Sequence, residues 1–215
     1  MDRAGEIIGR LKKKYPYARI ALHSRNPLEL LVATILSAQC TDARVNLVTE
    51  GLFKKYRTPP DYAKARPAIL EREIRSTGFY RHKAKNIIGA ARKIVADFHG
   101  RVPRTMPELL TLPGVARKTA NVVLYSAFGV NEGIAVDTHV MRTSRRLGLT
   151  KYDDPVKIEE ELMCQVPRRE WGDFSLRLIQ HGRQTFAAKA PKCPECVLAR
   201  ICPSKNCFSR KVPDR

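Results

Sequence analysis

The chain has 215 residues, enough to bury roughly 70% of its extended surface in one domain or two closely packed lobes, so disorder is not expected. Its 40 Lys and Arg against 21 Asp and Glu give a net charge of +19, spread along the whole length, and a polyanion is the natural partner. No apolar run reaches the roughly 18 residues of a spanning helix. Met1-Asp2-Arg3 followed by Lys12-Lys13-Lys14 lacks a signal peptide's apolar core. The expectation is therefore a cytoplasmic, nucleoid-associated monomer with no membrane partner.

In chain order, Glu6 to Tyr15 reads as a short helix with Ile7, Ile8 and Leu11 inward. Asn26-Pro27-Leu28-Glu29 supplies an N-cap, a proline at the first helical position and a capping glutamate. The helix behind it carries Leu28, Leu31, Val32, Ile35 and Leu36 on one face. It breaks at Gln39-Cys40-Thr41-Asp42, where Thr41 or Asp42 caps another helix through Val45, Val48, Leu52 and Phe53. Short helices follow around Tyr62 to Ala65 and Ala68 to Arg75, then a loop, Ser76-Thr77-Gly78-Phe79-Tyr80. Flanked by Arg75, Arg81, His82 and Lys83, one of those aromatics could wedge into a base stack; the other reading folds it back on the core. Ala84, Ile87, Ile88, Ala91, Val95 and Phe98 mark a long helix closed near Gly100.

The centre of the chain is Thr105 to Arg146. Thr105 and Glu108 read as a capping box opening a helix with Leu109, Leu110 and Leu112, and Pro113-Gly114 ends it. A second helix begins near Ala116 and places Ala120, Val123, Leu124, Ala127 and Phe128 at helical spacing until Gly129 stops it. Two helices around so tight a glycine turn make a helix-hairpin-helix, whose outward amides and positive dipole end suit a phosphate oxygen. Lys118 sits in the second helix's first turns, where its plain reading is a solvated or phosphate-pairing charge. Beyond the apolar run Ile134-Ala135-Val136, Asp137 stands where a helix should start, an N-cap compatible with a second role. Lys118 and Asp137 are nineteen positions apart, enough for one helix and a return to one cleft.

Asp154-Pro155 opens a helix with Ile158, Leu162 and Val166, and Trp171, Phe174, Ser175, Leu178, Ile179 and Gly182 mark one more. No alternating run reads as a strand, so the fold class is all-α. Four of the six cysteines lie within fifteen residues, as Cys193-x2-Cys196-x5-Cys202-x4-Cys207, while Cys40 and Cys164 stand apart. In a reducing compartment such a cluster is a metal site rather than a disulfide framework, and spacing alone leaves iron-sulfur and zinc both open.

LPGVARKTA followed by AVDTH resembles the endonuclease III family of helix-hairpin-helix DNA glycosylases. Leu36-Ser37-Ala38-Gln39 with Cys40-Thr41-Asp42, and His181-Gly182-Arg183, match it too, over about Ile20 to Cys202. The resemblance implies a two-lobed fold: a six-helix lobe over 21–131 containing the hairpin (about 105–129), and a second lobe from 1–20 plus 132–215 with the cysteine loop (193–207). It implies base-excision repair, in which oxidised pyrimidines are removed from double-stranded DNA and abasic sites are cleaved by β-elimination through a lysine Schiff base. A G·T or A·G mismatch glycosylase, or a non-catalytic damaged-DNA-binding module, is the alternative.

By that resemblance Lys118 is the nucleophile and Asp137 its assisting carboxylate. Gln39 enters the gap left by an extruded nucleotide, Phe79 is the wedge, and Thr41, Asp42, Gly114, Val115, Arg117, Thr138 and His139 contact DNA or the lesion. The family's [4Fe-4S] pattern, Cys-x6-Cys-x2-Cys-x5-Cys, matches Cys193, Cys196 and Cys202 but puts Phe186 at the first ligand. Cys207 is the expected substitute, with zinc the alternative metal. The cluster's expected role is structural, presenting Lys192, Arg200 and Lys205 to phosphates. Cys40 replaces the small alanine expected beside Gln39.

Overall fold

The computed structural model describes residues 2–205 and 207, and among these every regular element is helical. The chain divides into two compact units, Ile20–Glu132 and the segments on either side of it. Among the described residues no helix is long and apolar enough to cross a membrane.

The central unit holds seven α-helices, against the six expected from the resemblance. With α1 (Arg3–Lys14) outside it, the unit begins at α2 (Pro27–Leu36), which Asn26 caps by accepting from the Glu29 amide at 2.9 Å. The Glu29 carboxylate reaches back to the Arg25 amide at 2.7 Å. Every residue of α2 from Leu28 to Leu36 is buried, so it is a core helix on all sides rather than on one face. Thr41 caps α3 (Asp42–Lys55). Thr58 and Asp61 form a full capping box on α4 (Pro59–Ala63), and Pro67, which fits only a first turn, opens a separate α5 (Pro67–Glu73). A 3-10 turn over Arg75–Thr77 leads to α6 (Tyr80–Asp97), whose inner face is Ala84, Ile87, Ile88, Ala91 and Ile94.

Three details differ from the periodicity reading. Helix α6 starts at Tyr80, so Tyr80 lies in its first turn, with Arg81, His82 and Lys83, rather than in the preceding loop. Val95 is 40% exposed, because Ile94 takes the inward position. Leu110 is 43% exposed at the end of α7 (Met106–Leu110), while Leu109 and Leu112 are buried. Thr105 caps α7, but its hydroxyl donates to the Glu108 carboxylate, so the reciprocal half of a capping box is not made through the backbone. Helix α8 (Arg117–Phe128) closes the unit at Gly129, whose φ of 68° gives the left-handed C-cap.

The other unit is built on α1, α9 (Thr138–Arg146), α10 (Pro155–Gln165) and α11 (Trp171–Gln184). Its core joins Ile7 and Leu11 of α1 to Val140, Leu162, Phe174 and Leu178. A buried ionic knot adds to it: Arg177, 5% exposed, pairs with Asp173 at 2.6 Å and Glu170 at 3.6 Å and donates to the Tyr15 carbonyl. Where α9 crosses α11, a Cβ on Gly182 would lie 3.1 Å from Thr143 Oγ1 and 3.2 Å from His139 Cβ. Glycine there permits the close approach.

Candidate active site and nucleic-acid interface

The hairpin turn is seated on α6. Gly114 has φ of 79°, and a Cβ on it would meet Asn86 at 2.8 Å. One turn along α6, a Cβ on Gly89 would meet Pro113 at 3.2 Å. Asn86 and Gly89 thus shape the Pro113-Gly114 turn, although neither was singled out from the sequence. The signal was there: a glycine inside a helical pattern costs about 1 kcal/mol against alanine, which argues for a close neighbour.

The Val115 amide closes the turn on the Leu112 carbonyl at 3.1 Å, and Val115 itself is buried. Ala116 at the N-cap of α8 offers no side-chain oxygen, so nothing from the cap competes for the first-turn amides. Arg117 and Lys118 are the first two residues of this helix, and both are exposed.

A cleft of about 180 Å³ beside the turn is lined by Gln39, Phe79, His82, Lys83, Asn86 and Gly114 together with Ile35 and Ala38. Three of the expected site residues, Gln39, Phe79 and Gly114, therefore share one surface. Gln39 has φ of 52° and Phe79 of 47°, both in the left-handed region that non-glycine residues rarely occupy. Such strain collects at ligand clamps and active sites. Phe79 is 61% exposed, while Tyr80 packs against the core; the geometry thus gives the two aromatics opposite fates.

Lys83, read from the sequence as one of the cations flanking the Phe79 loop, is 4% exposed. Its Nζ donates to the Leu36 carbonyl at 2.7 Å and the Thr77 carbonyl at 2.8 Å, tying the end of α2 to the turn before Phe79. Burial holds its pKa below the usual lysine range. Thr41 acts as the α3 cap through the Arg44 amide at 3.3 Å, and Asp42 is half-buried beside it.

In the other unit Asp137 caps α9: its Oδ1 accepts from the His139 and Val140 amides, each at 2.8 Å. The buried Ile134 and Val136, and a Ser175 hydroxyl donating to the Ala135 carbonyl at 2.7 Å, fix the approach to that cap. Thr138 is exposed, and His139 Nδ1 lies 3.2 Å from Arg142 Nη2. Lys118 and Asp137 belong to different units.

The cysteine loop lies in the same unit as Asp137. Cys193, Cys196 and Cys202 are buried, and burial pushes the Cys196 and Cys202 thiols up. Cys207 is exposed, with its Sγ 3.8 Å from the Lys205 carbonyl. Phe186 fills the position of the family's first cysteine: it is 2% exposed, 5.5 Å from the His181 ring and 5.5 Å below the Arg146 guanidinium. Arg142 donates to the Phe186 carbonyl and Arg146 to those of Ala187 and Ala188, so this segment is stapled to α9 without a ligand. His181 is wholly buried, and desolvation lowers its pKa to about 4. Among the described residues no three His, Cys, Asp or Glu side chains form a group that could hold a metal ion. The three buried thiols fit part of a cluster's ligand set; position 186 does not.

The family model described as "HhH-GPD superfamily base excision DNA repair protein" matches residues 32–168. An endonuclease III of Synechocystis sp. is 57% identical over 203 residues, 94% of this chain and 93% of that protein. A solved non-covalent endonuclease III-DNA complex superposes with a TM-score of 0.89 at 46% identity, covering 95% of this chain and 97% of the other. A trapped endonuclease III-DNA covalent intermediate, an estranged-adenine complex, gives 0.89 at 47% identity, covering 95% and 98%. Hairpin, strained corner and capped aspartate thus occur in a chain that belongs to the endonuclease III family of the helix-hairpin-helix superfamily.

Proposed function

We propose that this protein is a base-excision repair DNA glycosylase and abasic-site lyase, acting on oxidised pyrimidines in double-stranded DNA. The observation that carries the reading is Lys118, exposed at the second position of a helix whose N-terminus lacks a side-chain cap, next to a turn that only glycine fits. First-turn amides and a glycine-lined approach hold a phosphate, and a lysine there stands beside the sugar-phosphate backbone.

The damaged base is rotated out of the stack, at a cost of a few kcal/mol that is lowest for a lesion that stacks poorly. Gln39 and Phe79, pushed outward by their left-handed backbone, fill the space. Thr41, Asp42, Gly114, Val115, Arg117, Thr138 and His139 complete the contacts with DNA and lesion. The Lys118 amine, unprotonated, attacks C1′ of the sugar, and the glycosidic bond breaks with its electron pair leaving on the base. The amine then loses its proton and the sugar ring opens to a Schiff base. Loss of a C2′ proton expels the 3′ phosphate and nicks the strand. Asp137 stabilises positive charge on the sugar or takes up a proton. Its Oδ1 serves the helix cap, which leaves Oδ2 for this chemistry.

Cys193, Cys196 and Cys202 would hold a [4Fe-4S] cluster, with Cys207 the fourth thiolate. When bound, the cluster supplies a structural tie for the C-terminal loop and sets Lys192, Arg200 and Lys205 towards phosphates. Zinc held by the same cysteines is the alternative. A monomer working on nucleoid DNA completes the reading.

Borohydride trapping tests the chemistry. Wild-type protein should form a covalent adduct with a duplex containing thymine glycol or an abasic site, and Lys118→Ala should form none. An adduct that persists in the variant would remove Lys118 from the nucleophile's role. Full iron and sulfide in Cys207→Ser would remove Cys207 from the ligand set.

A further inference from the structure

His181 is wholly buried on α11. Its Nδ1 is 3.1 Å from the Tyr15 hydroxyl, which is itself 3.4 Å from Thr185 Oγ1. Its Nε2 is 3.4 Å from Cys196 Sγ. Tyr15 and Phe186 clamp the ring edge-on and tilted, with centroids 5.8 and 5.5 Å away. Cys196 Sγ also accepts the Leu198 amide at 3.4 Å.

We infer that His181 is a positioning residue for the cysteine-bound cofactor, donating its Nε2–H to the Cys196 thiolate through a tautomer set by Tyr15. The inference rests on the [4Fe-4S] reading given above.

The proton count is what decides the orientation. A metal-bound thiolate carries no hydrogen, so an imidazole lone pair facing it would repel it; the facing nitrogen must carry the ring proton. The other nitrogen, Nδ1, is then the acceptor, and Tyr15 has one hydrogen to give it. The Tyr15 oxygen is in turn left to accept from the Thr185 hydroxyl, its other neighbour. The chain runs in one direction, Thr185 to Tyr15 to His181 to Cys196, and every member is buried. Second-shell donors of this kind fix the tautomer of a buried ring and tune the metal. Two N–H groups on one sulfur draw charge from it, which makes the bound cluster easier to reduce.

The test uses anaerobically purified full-length protein: wild type, His181→Phe, His181→Gln and Tyr15→Phe. Gln carries an amide N–H near the Nε2 position; Phe fills the space without one. Iron and sulfide per chain and the reduction potential by protein-film voltammetry are the readouts. His181→Phe should shift the potential negative, Tyr15→Phe should shift it less in the same direction, and His181→Gln should return it towards wild type. Loss of the cluster from the Phe variant with retention in the Gln variant also supports the donor. A full cluster at wild-type potential in the Phe variant overturns it and leaves the cluster reading intact. Loss from both His181 variants overturns it as well, because the residue is then a ligand or a packing element. Wild-type protein without iron and sulfide overturns the cluster reading, and the donor falls with it.

Discussion

Asn86 stands where a side chain on Gly114 would have to go, with both its Cβ and its Nδ2 2.8 Å from the position of that Cβ. A helix packed behind the hairpin thereby decides the identity of the residue at its turn. Gly114→Ala combines this clash with a φ of 79° that alanine tolerates poorly. It should lower stability by about 1–3 kcal/mol and weaken duplex binding. Adding Asn86→Gly, which removes the Cβ that alanine would keep, should recover the part due to the clash, less about 1 kcal/mol for a second glycine in α6, and leave the backbone part, as urea unfolding of the three variants will read.

Asp137 has two duties that substitution can separate. Asparagine caps a helix as well as aspartate does, so Asp137→Asn should keep the melting temperature and bind damaged duplex while turning over poorly. Asp137→Ala should lose activity too, and about 0.5–2 kcal/mol of stability with the cap. Equal turnover by wild type and the Asn variant would leave Asp137 a cap and nothing more.

Phe79 is strained and exposed, the combination expected of a residue retained for binding. Phe79→Gly relieves the left-handed backbone, so thermal unfolding should show it unchanged or more stable by up to about 1 kcal/mol. Its incision of a single-lesion duplex should fall nonetheless.

Lys83→Met keeps most of the buried volume but leaves the Leu36 and Thr77 carbonyls without their donor. The cost should be about 1–3 kcal/mol for each carbonyl that water cannot reach. Because burial lowers the Lys83 pKa, the unfolded chain holds its proton to higher pH than the folded one. The stability gap between wild type and variant should therefore widen as pH rises through the window below 10.5, the ordinary lysine value.

With a net charge of +19, binding to undamaged duplex should weaken steeply as salt rises, since each neutralised phosphate releases counterions. In fluorescence titrations Arg117→Ala should flatten the slope of log K against log salt by about 1.

Much of this was local and therefore legible. Asn26, Thr41, Thr105, Asp137 and Asp154 cap the helices they were expected to cap, because capping needs only an oxygen and an amide two or three residues on. The glycine turn, the all-helical class and the cluster of cysteines were likewise readable from spacing. What the residues could not disclose alone depends on neighbours far along the chain. Lys83 looks like any surface lysine until two carbonyls, 47 and 6 positions away, converge on its amine. Phe79 and Tyr80 are equivalent in sequence, yet packing turns one outward and buries much of the other. The link from Tyr15 through His181 to Cys196 spans 166 and 15 positions. Periodicity and capping are set within a few residues by backbone geometry, whereas the burial of a charge or the facing of two rings is settled only when distant segments close around them.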